Sequence, residues 1–218
     1  MSIQLEVWGD YACFTRPELK VERVSYDVMT PSAARGLLES IFWHPGLQWH
    51  IRKIYVLNPI QFISIVRNEV KSKIPDYNIS KIGSNETLLL NTATDIQQRS
   101  SMVLRDVHYV IEAYFSMTNK AAPGDNPGKF CEMTRRRVIN GQCYHQPYLG
   151  LREFPAAFQL WNDEPIKTAY PTENRDLGFM LYDMDYHDLK HIKPLFFRAA
   201  LRNGILHIPS PDSSEVMR

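Results

Sequence analysis

Between Val103 and Phe115 the chain alternates its side chains with a period of two. Val107, Tyr109, Ile111, Ala113 and Phe115 fall on one face, and His108, Glu112 and Tyr114 on the other. Sustained alternation belongs to a β-strand, because successive Cβ atoms leave opposite sides of the pleat. A strand that is apolar on one face and polar on the other calls for an antiparallel sheet covered on one side only. Ile3, Leu5 and Val7 repeat the pattern against Gln4, Glu6 and Trp8. The chain is therefore committed to a one-sided sheet, and helices must supply the cover.

Two segments qualify. Thr30 offers an N-cap and Pro31 suits a first helical turn. Ala33, Ala34, Leu37, Leu38, Ile41 and Phe42 follow at helical spacing, which leaves Arg35 and Glu39 outward, and Pro45 stops the run. The turn-rich Pro123-Gly124-Asp125-Asn126-Pro127-Gly128 leads into a second helix from about Lys129 to Ile139, ended by Asn140-Gly141. Trp49 to Ile60 reads as a strand with a phase shift near Lys53-Ile54, Gln61 to Val70 as its returning partner, and Phe154 to Trp161 as a further strand. This order is compatible with a ferredoxin-like (RRM-like) βαββαβ core over residues 1–161, an α+β fold. Lys71 to Ser101 is polar and aperiodic and reads as a mobile insertion. Residues 162–218 read as a small C-terminal antiparallel β appendage, with strands Leu177–Tyr186, Leu195–Leu201 and Ile205–Ile208, the last two joined at Asn203-Gly204.

Composition narrows the function classes. No apolar run approaches the length of a membrane span, and the first residues lack the apolar stretch of a secretory signal, so a cytoplasmic protein with no membrane partner is expected. Cys13, Cys131 and Cys143 are not at metal-ligand spacing and read as reduced thiols. Asp183 and Asp185 would share a strand face, but without further ligands nearby they read as solvated edge-strand charges, and no metal or other cofactor is expected. A net charge of +1 does not announce a nucleic-acid binder, yet Arg16, Lys20 and Arg23 share one loop and Arg135, Arg136 and Arg137 one helix. Consecutive helical residues point about 100° apart, so that triple cannot face one phosphate. The alternative is that these cations pair with carboxylates such as Glu18, Glu22 and Glu132. Tyr11, Phe14 and Tyr26 interleave the basic loop, either to stack unpaired bases or to fasten the loop to the sheet.

Several separated motifs carry a family resemblance. They are Trp8-Gly9-Asp10-Tyr11-Ala12, Phe14-Thr15-Arg16-Pro17-Glu18, Lys20-Val21-Glu22-Arg23-Val24-Ser25-Tyr26 and Pro31-Ser32-Ala33-Ala34-Arg35-Gly36. Arg67-Asn68-Glu69-Val70, Gly128-Lys129, Leu149-Gly150-Leu151-Arg152-Glu153-Phe154 and Arg175-Asp176-Leu177-Gly178 follow. With them the chain resembles the type I-C CRISPR-associated proteins of Cas family five, subtype d, in the RAMP superfamily. That resemblance implies a metal-independent endoribonuclease acting on the precursor of the guide RNA. It cuts at the repeat hairpin by 2′-hydroxyl attack and leaves a 2′,3′-cyclic phosphate and a 5′-hydroxyl. It then keeps the 5′ handle within the type I-C interference complex. Arg16, Lys20, Arg23, Arg35, Arg67, Arg135, Arg136 and Arg137 are the candidate RNA contacts. Duplex DNA as a second ligand fits the basic loop but has no signature of its own.

The resemblance also implies a catalytic Tyr at the end of the first helix and a Lys-His pair opening the second. This chain has Phe42 at the first position and Lys129-Phe130 at the second. Lys129 is retained; neither phenylalanine can move a proton. Phe42 continues the stripe of Ala34 and Leu38, and Phe130 shares a face with Thr134 and Val138, so both also fit as core residues. Either a neighbour such as His44, Tyr144 or His145 has taken over proton transfer, or the chain binds and caps the RNA without cutting it.

Overall fold

The alternating strand in the middle of the chain organises the whole sheet. The computed structural model describes residues 2–19, 21–73, 91–162, 165–186 and 188–217. Along it run β1 (Ser2–Ala12), α1 (Pro31–Ile41), β2 (Leu47–Val56), β3 (Phe62–Val70) and β4 (Ile96–Met117). There follow α2 (Pro127–Ile139), β5 (Ala157–Leu160), β6 (Asn174–Asp185), β7 (Lys193–Arg202) and β8 (Ile205–His207). The strands form one antiparallel sheet in the order β5-β1-β4-β2-β8-β7-β6, with β3 also on β4.

β4 is long enough to serve two sets of neighbours. Its C-terminal part lies between β1 and β2, with Leu5 opposite Ile111 and Ile54 on the other side of the same residue. Its N-terminal part, Ile96 to Leu104, pairs with β3. Asp106 sits between the two parts with a positive φ of 50°. The register shift in β2 falls between Ile51 and Lys53, beside the expected bulge.

Two expectations are corrected here. Gln61 to Val70 does not return along β2 but pairs with β4. Residues 96–101, expected within a mobile insertion, are strand; residues 74–90 of that expected insertion lie outside the described residues. The reason is the environment of this hairpin. β3 alternates only between exposed and half-buried, so neither face selects the apolar alternation by which a strand is read.

Both helices are held by local chemistry. The Thr30 hydroxyl accepts the Ala33 N–H at 3.3 Å, and Asn126 Oδ1 accepts the Lys129 N–H at 2.9 Å, each ahead of a proline in the first turn. α2 thus begins at Pro127, two residues before the expected Lys129. α1 buries Ala34, Leu37, Leu38 and Ile41, and α2 buries Phe130, Thr134 and Val138. These side chains join Leu5, Val7, Trp49, Tyr109 and Ile111 in one core on the covered face.

The strands after residue 162 continue the same sheet, because β8 sets Lys53 against His207 and Ile54 against Leu206. Asn203 and Gly204 turn β7 into β8 with φ of 52° and 75°, the paired left-handed geometry of a tight hairpin. A Cβ on Gly204 would also come within 2.4 Å of Thr168.

Candidate functional site

The end of α1 and the start of α2 meet over the sheet. α1 stops where the Phe42 N–H closes on Leu38 O, and the chain turns through His44 and Pro45. His44 Nδ1 accepts the Gly46 N–H at 3.0 Å. The neutral ring therefore carries its proton on Nε2, which lies 3.9 Å from Asp125 Oδ2. In that tautomer His44 donates from Nε2 and has no free lone pair with which to take a proton.

Asp125 is the centre of this corner. Its side chain is 4% exposed, accepts the Ala122 N–H at 2.9 Å and pairs with Lys129 Nζ at 2.8 Å. The Lys129 hydrogen bond above all, then that from Ala122, holds its carboxyl below the usual carboxylate range. Lys129, half-exposed in the first turn of α2, presents an ammonium to solvent from one side and to Asp125 from the other. Spacing alone could have flagged Asp125, since it stands four residues before Lys129.

Phe130 and Phe42 lie beneath this corner, 1% and 3% exposed. The Phe130 ring packs 4.8 Å from His44, 5.9 Å from Phe42 and 6.3 Å from Phe115 between centroids. Arg137 donates to Ile41 O at 3.0 Å and lies 5.5 Å over the Phe42 ring, so it closes the end of α1. The trio of Lys129, His44 and Asp125 supplies a cation and a donor above an apolar floor.

Tyr144 and His145 lie elsewhere. Their backbone N–H groups both reach Ser40 O, at 2.8 and 3.2 Å, and their side chains line a cleft that includes Trp43 and Arg152 but not Lys129. The structure thus brings His44 and Lys129 to one carboxylate and sets Tyr144 and His145 apart from them.

Most of the candidate RNA-contacting arginines are engaged within the protein. Arg16 pairs with Asp27 at 3.2 Å and lies 4.5 Å over the Tyr26 ring. Arg23 pairs with Glu69, and Arg67 with Glu153 and with Ser101 Oγ at 3.0 Å. Arg35, expected outward, instead grips Asp183 of β6 through two bonds of 2.9 Å and Glu39 through one of 2.7 Å. These carboxylates keep its guanidinium charged against the cost of burial. Asp183 is accordingly not a solvated edge charge; β6 runs beside α1, which the sequence does not show. Arg135 and Arg136 are exposed, and the Glu132–Arg136 pair suggested by spacing is absent among the described ion pairs. Lys20 lies outside the described residues.

Phe14 and Tyr26 are buried and fasten the basic loop to the core, whereas Tyr11 stays partly exposed 5.9 Å from Phe154. A further cation was not singled out from the sequence. Arg99 stands opposite Arg67 across β3 and β4; the Nε atoms of both are buried without a hydrogen bond, although that of Arg99 lies 3.8 Å from Glu69 Oε2. Among the described residues no group of three histidine, cysteine or acidic side chains is placed to hold a metal ion. Nor is any helix among them long and apolar enough to cross a membrane.

Comparison with known proteins shows the family. A family model described as CRISPR-associated protein (Cas_Cas5), of subtype Cas5d, matches residues 2–209. The chain is 51% identical, over 99% of its length and 98% of the relative's, to the CRISPR pre-crRNA endoribonuclease Cas5d of Mannheimia succiniciproducens. A crystal structure of a CRISPR-associated protein superposes with a TM-score of 0.73 at 20% identity, covering 100% of this chain and 97% of that one. A chain of a CRISPR RNA-guided surveillance complex superposes with a TM-score of 0.55 at 14% identity, covering 96% and 92%.

Proposed function

Because the chain belongs to the Cas5d family of CRISPR-associated proteins, we propose that it is the endoribonuclease that processes the precursor of the guide RNA. The observation that carries this reading is the 51% identity, end to end, with a protein named for that activity. The 2′-hydroxyl beside the scissile phosphate gives up its proton to water and attacks phosphorus, the bond to the 5′-oxygen breaks, and that oxygen takes a proton. The products are a 2′,3′-cyclic phosphate and a 5′-hydroxyl. Lys129 stabilises the charge that builds on the phosphorane, and the His44 Nε2–H hydrogen-bonds the leaving oxygen, whose proton comes from water. The product RNA stays bound by its 5′ handle within the type I-C interference complex, in the cytoplasm. The exposed Arg135 and Arg136 are the phosphate contacts that need no ion pair to open.

The order β5-β1-β4-β2, with α1 and α2 as crossovers on one face, supports a ferredoxin-like core over residues 1–161. β6 to β8 form its C-terminal extension.

A second reading, a subunit that caps the 5′ handle without cutting, is favoured by one observation: both aromatic replacements, Phe42 and Phe130, are buried beneath the site. Incubating the chain with its repeat RNA in EDTA separates the two. The expected result is cleavage at a single position with a cyclic-phosphate end. Tight binding without a cut would replace the enzyme with the capping subunit.

A further inference from the structure

The cleft beside the end of α1 has the make-up of a base-binding site. It encloses about 710 Å³, within the roughly 300–1,000 Å³ typical of ligand clefts. One wall is α1 with Gly36, Ser40 and the following Trp43; the other is the loop bearing Tyr144, Tyr148 and Arg152. The walls are fixed relative to one another, since Ser40 O, at the unsatisfied end of α1, accepts the N–H groups of both Tyr144 and His145. Trp43 and Tyr144 nevertheless remain 60% and 75% exposed. Large rings left in water add little to the core, and flat π-faces are what an unstacked base requires.

The charges agree. Glu39 is the acid of the cleft, and its carboxylate is already bound by Arg35 at 2.7 Å. Arg152 is exposed and has no carboxylate partner among the described ion pairs.

Gly36 adds an independent sign. It stands mid-helix, where glycine is the poorest former after proline, yet a Cβ there would meet nothing within 4 Å. Packing does not require the glycine. The empty space above it is where this cleft meets a second one, of about 320 Å³, which shares Gly36, Ser40 and Tyr148.

We propose that this cleft binds an unpaired nucleobase of the RNA, stacked on Trp43 and Tyr144, with Arg152 on the adjoining phosphate and Gly36 leaving room for the base. The inference rests on the RNA-processing reading above, and it assigns Tyr144 and His145 to binding rather than to proton transfer.

The test is an anisotropy titration of repeat RNA with single-stranded flanks into the full chain, with thermal melting alongside. Gly36→Leu projects into the empty space, where its Cβ meets nothing within 4 Å, and favours the helix. It should hold or raise Tm while weakening RNA binding about tenfold or more. Trp43→Ala with Tyr144→Ala removes only exposed rings and should weaken binding about tenfold to a hundredfold, whereas Trp43→Phe keeps a stacking face and should stay within about twofold of wild type. Wild-type affinity in both Gly36→Leu and the double alanine variant overturns the inference and leaves the RNA-processing reading intact. A wild-type chain that does not bind the RNA overturns both.

Discussion

The proposed chemistry of the corner above Phe130 turns on the ion pair between Asp125 and Lys129. The carboxyl is held below the usual range, so it stays ionised and the 2.8 Å pair persists until the pH falls through that lowered value. In the free protein Asp125 thus keeps the ammonium of Lys129 aimed over the end of α1 rather than free in solvent. The phosphorane bears more charge on its equatorial oxygens than the phosphodiester does, so in the proposed mechanism the ammonium favours the transition state over bound RNA. Lys129→Ala should lower the single-turnover cleavage rate about a hundredfold, equivalent to about 3 kcal/mol, with RNA affinity and Tm little changed. Lys129→Arg should recover part of the rate, since its planar guanidinium places the charge differently. Full activity in the alanine variant would remove Lys129 from the mechanism. The sequence pointed to this lysine through its family, but the tautomer of His44 depends on the Gly46 N–H, and only folded geometry supplies that bond.

At the scale of elements, the site depends on α2 being pressed against α1 and the sheet. Phe130 is the contact that does this, with its ring among Phe42, His44 and Phe115. Phe130→Ala should cost about 3–5 kcal/mol in denaturant unfolding, the range for emptying a buried aromatic site. A loss well under 1 kcal/mol would mean that α2 is held by its caps alone. α1 is tied on its other flank, where Arg35 bridges Glu39 and Asp183. Helical spacing placed Arg35 on the outward side, as it would lie on an isolated helix. β6 lies alongside that flank, so the outward side became an interface.

Across the whole molecule, two histidines, His50 on β2 and His207 on β8, set a pH dependence. His50 titrates below its ordinary value of 6.5, chiefly through burial, with the Arg35 charge adding to the effect and Asp212 opposing it. His207 is lowered from 6.5 in the same way by burial, Lys53 and Arg202 against Glu112. Both folded values lie below the unfolded one, so on acidification the unfolded chain takes up protons first. Stability is therefore fully present above about pH 6.5 and is lost as the pH falls from there through the folded values. His50→Gln with His207→Gln should flatten Tm between about pH 7 and pH 5, and an equally steep loss in the double variant would place the responsible groups elsewhere. The sequence by itself determined the strand faces of β1 and β4, the Thr30 cap of α1, the Asn140-Gly141 end of α2 and the Asn203-Gly204 turn, because periodicity and capping depend on residues a few positions apart. It could not assign the arginines. Arg23 finds Glu69 across 46 positions, Arg67 finds Glu153 across 86, and Arg35 finds Asp183 across 148. A charge on a long side chain chooses its partner through space, so which cations are left for RNA was decided only when the sheet brought β3, β4 and β6 to their places.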